Sequence, residues 1–272
     1  LAMATARRGI DKKAKHTKVL CAFFIPENKE PEENKMGRKW LERTETLLGK
    51  EKTEKLSQKT VAILGLGGVG GAAAEAVCRM GIRKIILIDS DTVDITNLNR
   101  QLFATTETVG QSKCLAAKNR LLSINPEAEI VCCEQFFLPE NSDFLFEQQP
   151  DLILDAIDTV TAKLFLAEQC AKRNIPLITC LGTGNRLDPS LLRWGDISET
   201  VGCGCPLARV MRRELKKRGV AKQTVIYSNE LPAKSICIGT GENGRHSPAS
   251  CAFVPPAAGY LMASVGIRKI ME

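Results

Sequence analysis

Residues 61–77, VAILGLGGVGGAAAEAV, constrain the fold more than any other stretch of the chain. A short apolar run ends in a glycine cluster, and a run of small, helix-forming residues follows. Gly65, Gly67 and Gly70 fit the spacing G-x-G-x-x-G, with Gly68 as a fourth glycine among them. At that spacing the first glycine permits a tight turn after a strand. The second lets the backbone approach a ligand, and the third lets the helix pack closely on the strand. The amino end of the helix then presents free N–H groups and a positive dipole end to a phosphate. Asp89 closes the next apolar run, KIILID, about twenty residues on, where a carboxylate can take ribose hydroxyls. These features point to a bound nucleotide and leave both NAD and ATP open.

The alternation continues beyond this unit. Strands are expected over 60–66, 84–89, 128–134, 151–158 and 175–182, with helices over 70–80, 112–124 and 159–173. Continuous apolar strands separated by helices predict an α/β protein, a Rossmann-like doubly wound, mostly parallel sheet covered on both faces. After Gly182 the regularity fails in a run of turn formers. Pro206 opens a basic helix to about Arg218, 223–228 is a strand, 239–248 a mobile loop and 257–272 a closing amphipathic helix. This second half, from about residue 183, completes the substrate cleft of a domain spanning 36–272. Residues 1–35 end in PENKEPEENK and are expected to form a flexible extension with no catalytic role. No apolar run approaches the roughly 20 residues of a membrane-spanning helix. Cys132, Cys133 and Cys180 fall inside apolar strand runs, as small core residues of a protein in the reducing cytoplasm do.

The loop after the second strand separates the two nucleotides. DSDTVDITNLNRQLFATTETVGQSK places Asp89, Asp91, Asn97, Asn99, Arg100 and Lys113 near one strand end. A dehydrogenase needs few charges there. Nucleotidyl transfer needs cations, because charge builds on the phosphorus oxygens and on the leaving pyrophosphate. Arg100 and Lys113 supply them, and Asp158, leaving the fourth strand in DAIDTV, supplies a carboxylate for Mg²⁺.

GLGGVGG, LIDSDTVDITNLNRQ, VGQSK, INP and DAIDTV together resemble the ThiF-type adenylating superfamily, which includes ubiquitin-activating enzymes and bacterial thiamine- and molybdopterin-pathway activators. The resemblance covers about residues 40–182. It implies that Gly65, Gly67, Gly68 and Gly70 hold ATP phosphates and Asp89 the ribose. Asp91, Asn97, Asn99, Arg100 and Lys113 then line the nucleotide site, and Asp158 positions Mg²⁺. LERTETLLG resembles the family's N-terminal helix, whose arginine reaches the partner subunit's ATP. Arg43 is the matching position, so a homodimer with composite sites is implied. An intrahelical pairing with Glu42 or Glu45 is the plainer reading of Arg43. A monovalent cation is a further candidate ligand.

Activators of ubiquitin-like proteins usually carry two C-x-x-C zinc pairs; this chain has none, and Cys203–Cys205 is too close-set. The stretch AIDTVTAKLFLAEQCAKRNIPLITCLGTGNRLDPS, followed by CPLARVMRRELKKRG, resembles instead the tRNA threonylcarbamoyladenosine dehydratase branch. That branch activates the carboxylate of threonylcarbamoyladenosine with ATP and closes its side chain into a ring with net loss of water. Arg209, Arg212, Arg213, Lys216 and Lys217 recur at helical steps and suit contact with tRNA phosphates. Residues 229–252 depart from the branch's pattern. Cys251 and Cys237 are candidates for capture of an activated carboxylate, against a buried structural role, and His246 is expected to be exposed. The rival readings are an activator of a sulfur-carrier protein, for which a sulfur-relay protein would be a partner, a non-enzymatic nucleotide-sensing or tRNA-binding module, and an NAD oxidoreductase.

Overall fold

The computed structural model describes residues 37–233 and 248–272. The chain divides into two units, Leu1–Lys39 and Trp40–Glu272. Of the first only residues 37–39 are described, and the extension expected over 1–35 lies outside the described residues, as do Cys237, His246 and nearly all of the loop expected over 239–248.

The second unit is built on one sheet of seven strands: β1 (Thr60–Leu64), β2 (Lys84–Ile88), β3 (Glu129–Cys133), β4 (Leu152–Asp155), β5 (Leu177–Cys180), β6 (Leu192–Asp196) and β7 (Thr224–Ser228). Their order is β3-β2-β1-β4-β5-β7-β6, and every neighbouring pair is parallel except β6–β7. Side chains of successive strand residues point to opposite faces, so each apolar run feeds two cores. Val61, Ile63, Ile85, Leu87, Leu152 and Leu154 pack into the layer of α3 (Gly68–Arg79), α4 (Lys113–Ile124) and α8 (Val254–Met271). Ala62, Leu64, Ile86, Ile88 and Ile153 pack into the layer of α5 (Asp143–Glu147), α6 (Val160–Arg173) and α7 (Pro206–Lys217). The doubly wound sheet expected from the sequence is therefore present. Ahead of it, α1 (Glu42–Leu48) and α2 (Lys50–Ser57) are separated by Gly49 at φ 87°.

Several expectations are corrected. The strand expected over 151–158 ends at Asp155, because the chain turns there and the N–H of Ile157 folds back onto the Asp155 carboxylate. Cys132 and Cys133 lie on the edge strand β3 and are only half-buried. The stretch expected to be irregular after Gly182 holds β6, whose LRWGD sequence shows little alternation because it forms the outer, half-exposed edge. The last helix starts at Val254 rather than 257. Its Pro255 and Pro256 sit in the first turn, where a missing N–H removes no intrahelical bond. It is buried over much of its circumference rather than amphipathic. A Cβ on Gly259 would lie 2.1 Å from the Val69 carbonyl, so only glycine lets α8 lie this close to α3.

All nine cysteines among the described residues are unpaired thiols. Among those residues no helix is long and apolar enough to cross a membrane.

Candidate active site

Chain connections leave β1 toward β2 and β3 on one side, while β4 begins on the other. The carboxyl ends of β1 and β4 thus flank a topological switch point, where doubly wound sheets bind ligands. A cleft with about 220 Å³ of water-accessible space opens there. One wall is Gly65 and Gly67 after β1. A second is Ile88, Asp89, Ser90 and Asp91 after β2, with Lys113 behind it. Gln135, Phe136 and Phe137 come from the end of β3, and Ala156, Ile157, Asp158 and Thr159 from the end of β4.

The glycine loop is held by backbone and carboxylate. Gly65, at φ 83°, donates its N–H to the Ile88 carbonyl at 2.8 Å. Gly67 caps α3 without any side-chain acceptor, so the first-turn N–H groups are available to an anion. The Asp89 carboxylate braces this arrangement. Its Oδ2 accepts from the N–H of Leu66 at 2.6 Å and its Oδ1 from the N–H of Asp91 at 2.9 Å. Lys113 opens α4 just after the N-cap Ser112 and is largely buried. Its Nζ lies 2.7 Å from Oδ2 of Asp91 and 3.9 Å from Oδ1 of Asp89. The cleft therefore holds a cation between two carboxylates on one side and the Asp158 carboxylate on the other.

Of the residues singled out in the sequence, Gly65, Gly67, Asp89, Asp91, Lys113 and Asp158 line this cleft. Gly68 and Gly70 pack behind it, in α3. Asn97 is buried and completes a capping box with Asp94 in a 3₁₀ turn, Ile95–Asn97. Asn99 reaches away to the Ser250 carbonyl at 3.0 Å. Arg100 donates to the Thr96 carbonyl at 3.1 Å and to Asn99 at 2.8 Å, with its own backbone carbonyl against Gly68. Arg43 is exposed on α1, a helix without buried residues, and makes no ion pair among the described residues. Cys251 is half-buried, with its thiol 3.6 Å from the Arg186 carbonyl, and does not line the cleft.

Helix α7 descends from the carboxyl edge of the sheet, where the cleft opens, toward the amino edge, spanning roughly 18 Å at 1.5 Å per residue. Its five cations are not equivalent. Arg212 donates to the carbonyl and hydroxyl of Thr200 at 2.8 and 2.6 Å. Arg213 and Lys217 pair with Glu214, and with Arg218 they hold its carboxyl down at about 2. Arg209 and Lys216 are exposed and have no ion-pair partner among the described residues.

Gln135–Phe137 and Thr159 also line the cleft without having been expected there, and the FF pair three residues beyond an apolar strand is the signal that marks it. Equally unexpected is the fully buried pair of Asp155 and Lys163, 2.9 Å apart. Burial pushes the Asp155 carboxyl up, against the neighbouring Lys163 cation. Lys163 ends the first turn of α6 on the same face as Val160, Leu166, Ala167 and Cys170, so its burial has a local signal, whereas its acceptor Cys180 does not.

The sheet order, the glycine loop at the switch point and the charged cleft define a doubly wound α/β domain with an anion cradle at the start of α3. The chain belongs to the ThiF family, whose profile matches residues 41–270. It is 42% identical over 240 residues to the tRNA threonylcarbamoyladenosine dehydratase of Bacillus subtilis (strain 168), covering 85% of this chain and 94% of that one. It is 35% identical to the protein of the same name from Escherichia coli (strain K12), covering 84% and 92%. Crystal structures of the E. coli tRNA N6-threonylcarbamoyladenosine dehydratase superpose with TM-scores of 0.78 for the complex with AMP and 0.77 for the complex with ATP, at 29% identity over 86% of this chain and 94% of that chain.

Proposed function

We propose that the protein is an ATP-dependent dehydratase of threonylcarbamoyladenosine in tRNA, working through adenylation of the substrate's carboxylate. The observation that carries this reading is the cleft itself. Open glycine backbone, Lys113 and Asp158 meet at the switch point of a chain that spans nearly the full length of the B. subtilis and E. coli relatives bearing that name. The triphosphate rests on Gly65, Gly67 and the first turn of α3. The ribose meets Asp89, which keeps acceptor capacity beyond its two backbone bonds. The base lies among Ile88, Phe136 and Phe137.

A carboxylate oxygen of the substrate attacks the α-phosphorus, forming an acyl-adenylate and releasing pyrophosphate. A nucleophilic atom of the substrate's own carbamoyl group then attacks the activated carbonyl and expels AMP, closing the ring. The sum is loss of one water from the nucleoside, with ATP split to AMP and pyrophosphate. Lys113 stands beside the developing phosphate charge, and preorganised charge of this kind is the main source of catalysis in such transfers. Arg100, whose backbone carbonyl lies against Gly68, is the second cation. Asp158 would hold Mg²⁺, which neutralises phosphate charge and is commonly bound by one or two carboxylates together with the phosphates. Ring closure requires no enzyme thiol, which agrees with Cys251 lying outside the cleft.

Arg43, exposed on α1 and without an ion pair among the described residues, supports a homodimer in which that arginine completes the partner's site. Arg209 and Lys216 on α7 support contact with the tRNA backbone. The test is ATP–pyrophosphate exchange. Exchange stimulated by tRNA bearing threonylcarbamoyladenosine is expected. Exchange stimulated instead by the C-terminal glycine of a small carrier protein would replace this reading with a sulfur-carrier activator.

A further inference from the structure

Lys163 is fully buried on α6, and its Nζ has three acceptors around it. These are Oδ1 of Asp155 at 2.9 Å, the carbonyl of Cys180 at 2.9 Å and the carbonyl of Asp155 at 3.4 Å. An ammonium group has three N–H donors, so this set uses its full capacity. The cation thereby ties the last residue of β4 to the last residue of β5. Oδ1 of Asp155 also accepts the N–H of Ile157 at 3.3 Å, which turns the chain immediately beyond the strand. Ala156, between them, donates to the Leu64 carbonyl at 2.8 Å, and its own carbonyl lies 2.8 Å from where a Cβ on Gly65 would stand. The buried pair therefore sits directly beneath the 156–159 wall of the cleft and the first glycine of the loop.

Stability does not explain the pair. Desolvating two charges is expensive, and apolar residues of similar volume often serve a fold equally well or better. An apolar pair would, however, leave the Ile157 N–H without its acceptor just where the chain must turn toward Asp158. Positional errors of an ångström at a reacting centre cost about a hundredfold in rate. Affinity for a nucleotide, by contrast, is shared among the glycine loop, Asp89 and the base contacts.

We propose that Lys163 and Asp155 are positioning residues, which hold Asp158 and the 156–159 wall in register with Gly65 and so act on the chemical step rather than on nucleotide affinity. This rests on the adenylation reading of the cleft. Two double variants of the full chain test it: D155L/K163M, which removes both charges and the acceptor, and D155N/K163M, which removes both charges but keeps an Oδ1 acceptor for Ile157. Each is checked for folding by circular dichroism and for ATP affinity by calorimetry. The kcat and the KM for ATP are then measured in tRNA-dependent pyrophosphate exchange. The expected result is a folded D155L/K163M protein with ATP affinity within threefold of wild type and kcat at least a hundredfold lower, with D155N/K163M recovering at least tenfold of that loss. A folded D155L/K163M protein with wild-type kcat, a loss confined to KM, or no recovery in D155N/K163M would overturn the proposal. Should D155L/K163M fail to fold, D155N/K163M decides alone. A kcat three- to thirtyfold below wild type at unchanged KM is expected, and a wild-type kcat or a proportionate rise in KM overturns it. Wild-type protein without any tRNA-dependent exchange would instead remove the adenylation reading itself, and this inference with it.

Discussion

A Cβ on Gly70 would fall 1.7 Å from the carbonyl oxygen of Gly65, so the first turn of α3 and the end of β1 are in contact through backbone alone. Gly67, between them, has nothing nearer than Gln101 Nε2 at 4.0 Å from its own added Cβ. One glycine is demanded by packing and the other leaves open space. Gly70→Ala should therefore destabilise the protein by about 1–3 kcal/mol, the usual cost of overpacking, and weaken ATP binding with it. Gly67→Ala should melt near the wild-type temperature yet bind ATP at least tenfold more weakly, because only the approach of a phosphate to backbone is obstructed. Thermal melting and calorimetry on the two variants check the contrast.

Among the described residues Lys113 is the one cation lining the cleft, held between Asp89 and Asp91. Lys113→Met should lower kcat for adenylation by about 10²–10³, the range seen when a preorganised group facing transition-state charge is removed. The KM for ATP should change less, since the glycine loop and Asp89 remain. Steady-state pyrophosphate exchange separates the two parameters.

The doubly wound sheet and the residues at its switch point were legible because β1 to β5 are largely apolar runs and the glycine spacing admits few other geometries. The orientation of the 89–113 loop was not. Six polar residues clustered in sequence, but Asn97 is consumed by a local capping box and Asn99 by the Ser250 carbonyl, and only the folded chain shows which side chains remain for a ligand. β6 was missed because an edge strand has one exposed side and little pattern. Lys163 was missed because a lysine, even on an apolar helix face, reads as solvated unless a distant acceptor such as Cys180 is known.

Glu75 links α3 to α4, with its carboxylate 2.8 Å from Arg79 and 3.0 Å from Arg120. Burial pushes its carboxyl up, but the two arginines outweigh this and leave it below the usual glutamate value. A carboxyl lowered in the folded state stabilises above its unfolded pKa, and that contribution fades as pH falls through the folded one. Glu75→Gln should thus cost about 1 kcal/mol near neutral pH, a modest figure because both arginines are half-exposed. The difference from wild type should shrink below about pH 4.5. Urea unfolding from pH 7 down to pH 3 checks the sign.

The cations of α7 should divide by what they already touch. Arg209→Ala and Lys216→Ala should each weaken tRNA binding and reduce the slope of log K against log salt by about 1, with no change in melting. Arg212→Ala should lower the melting temperature, because its guanidinium holds Thr200. Filter binding across a salt series, with thermal melting alongside, distinguishes the two behaviours.

The carboxylate adenylated in this cleft is assigned to threonylcarbamoyladenosine in tRNA. The direct measurement is to incubate the full chain with ATP, Mg²⁺ and tRNA bearing that nucleoside, digest to nucleosides and weigh them by mass spectrometry. ATP-dependent conversion of threonylcarbamoyladenosine to a species lighter by one water is expected, slowed by about 10²–10³ in Lys113→Met. An unchanged nucleoside from protein that binds ATP would contradict the assignment.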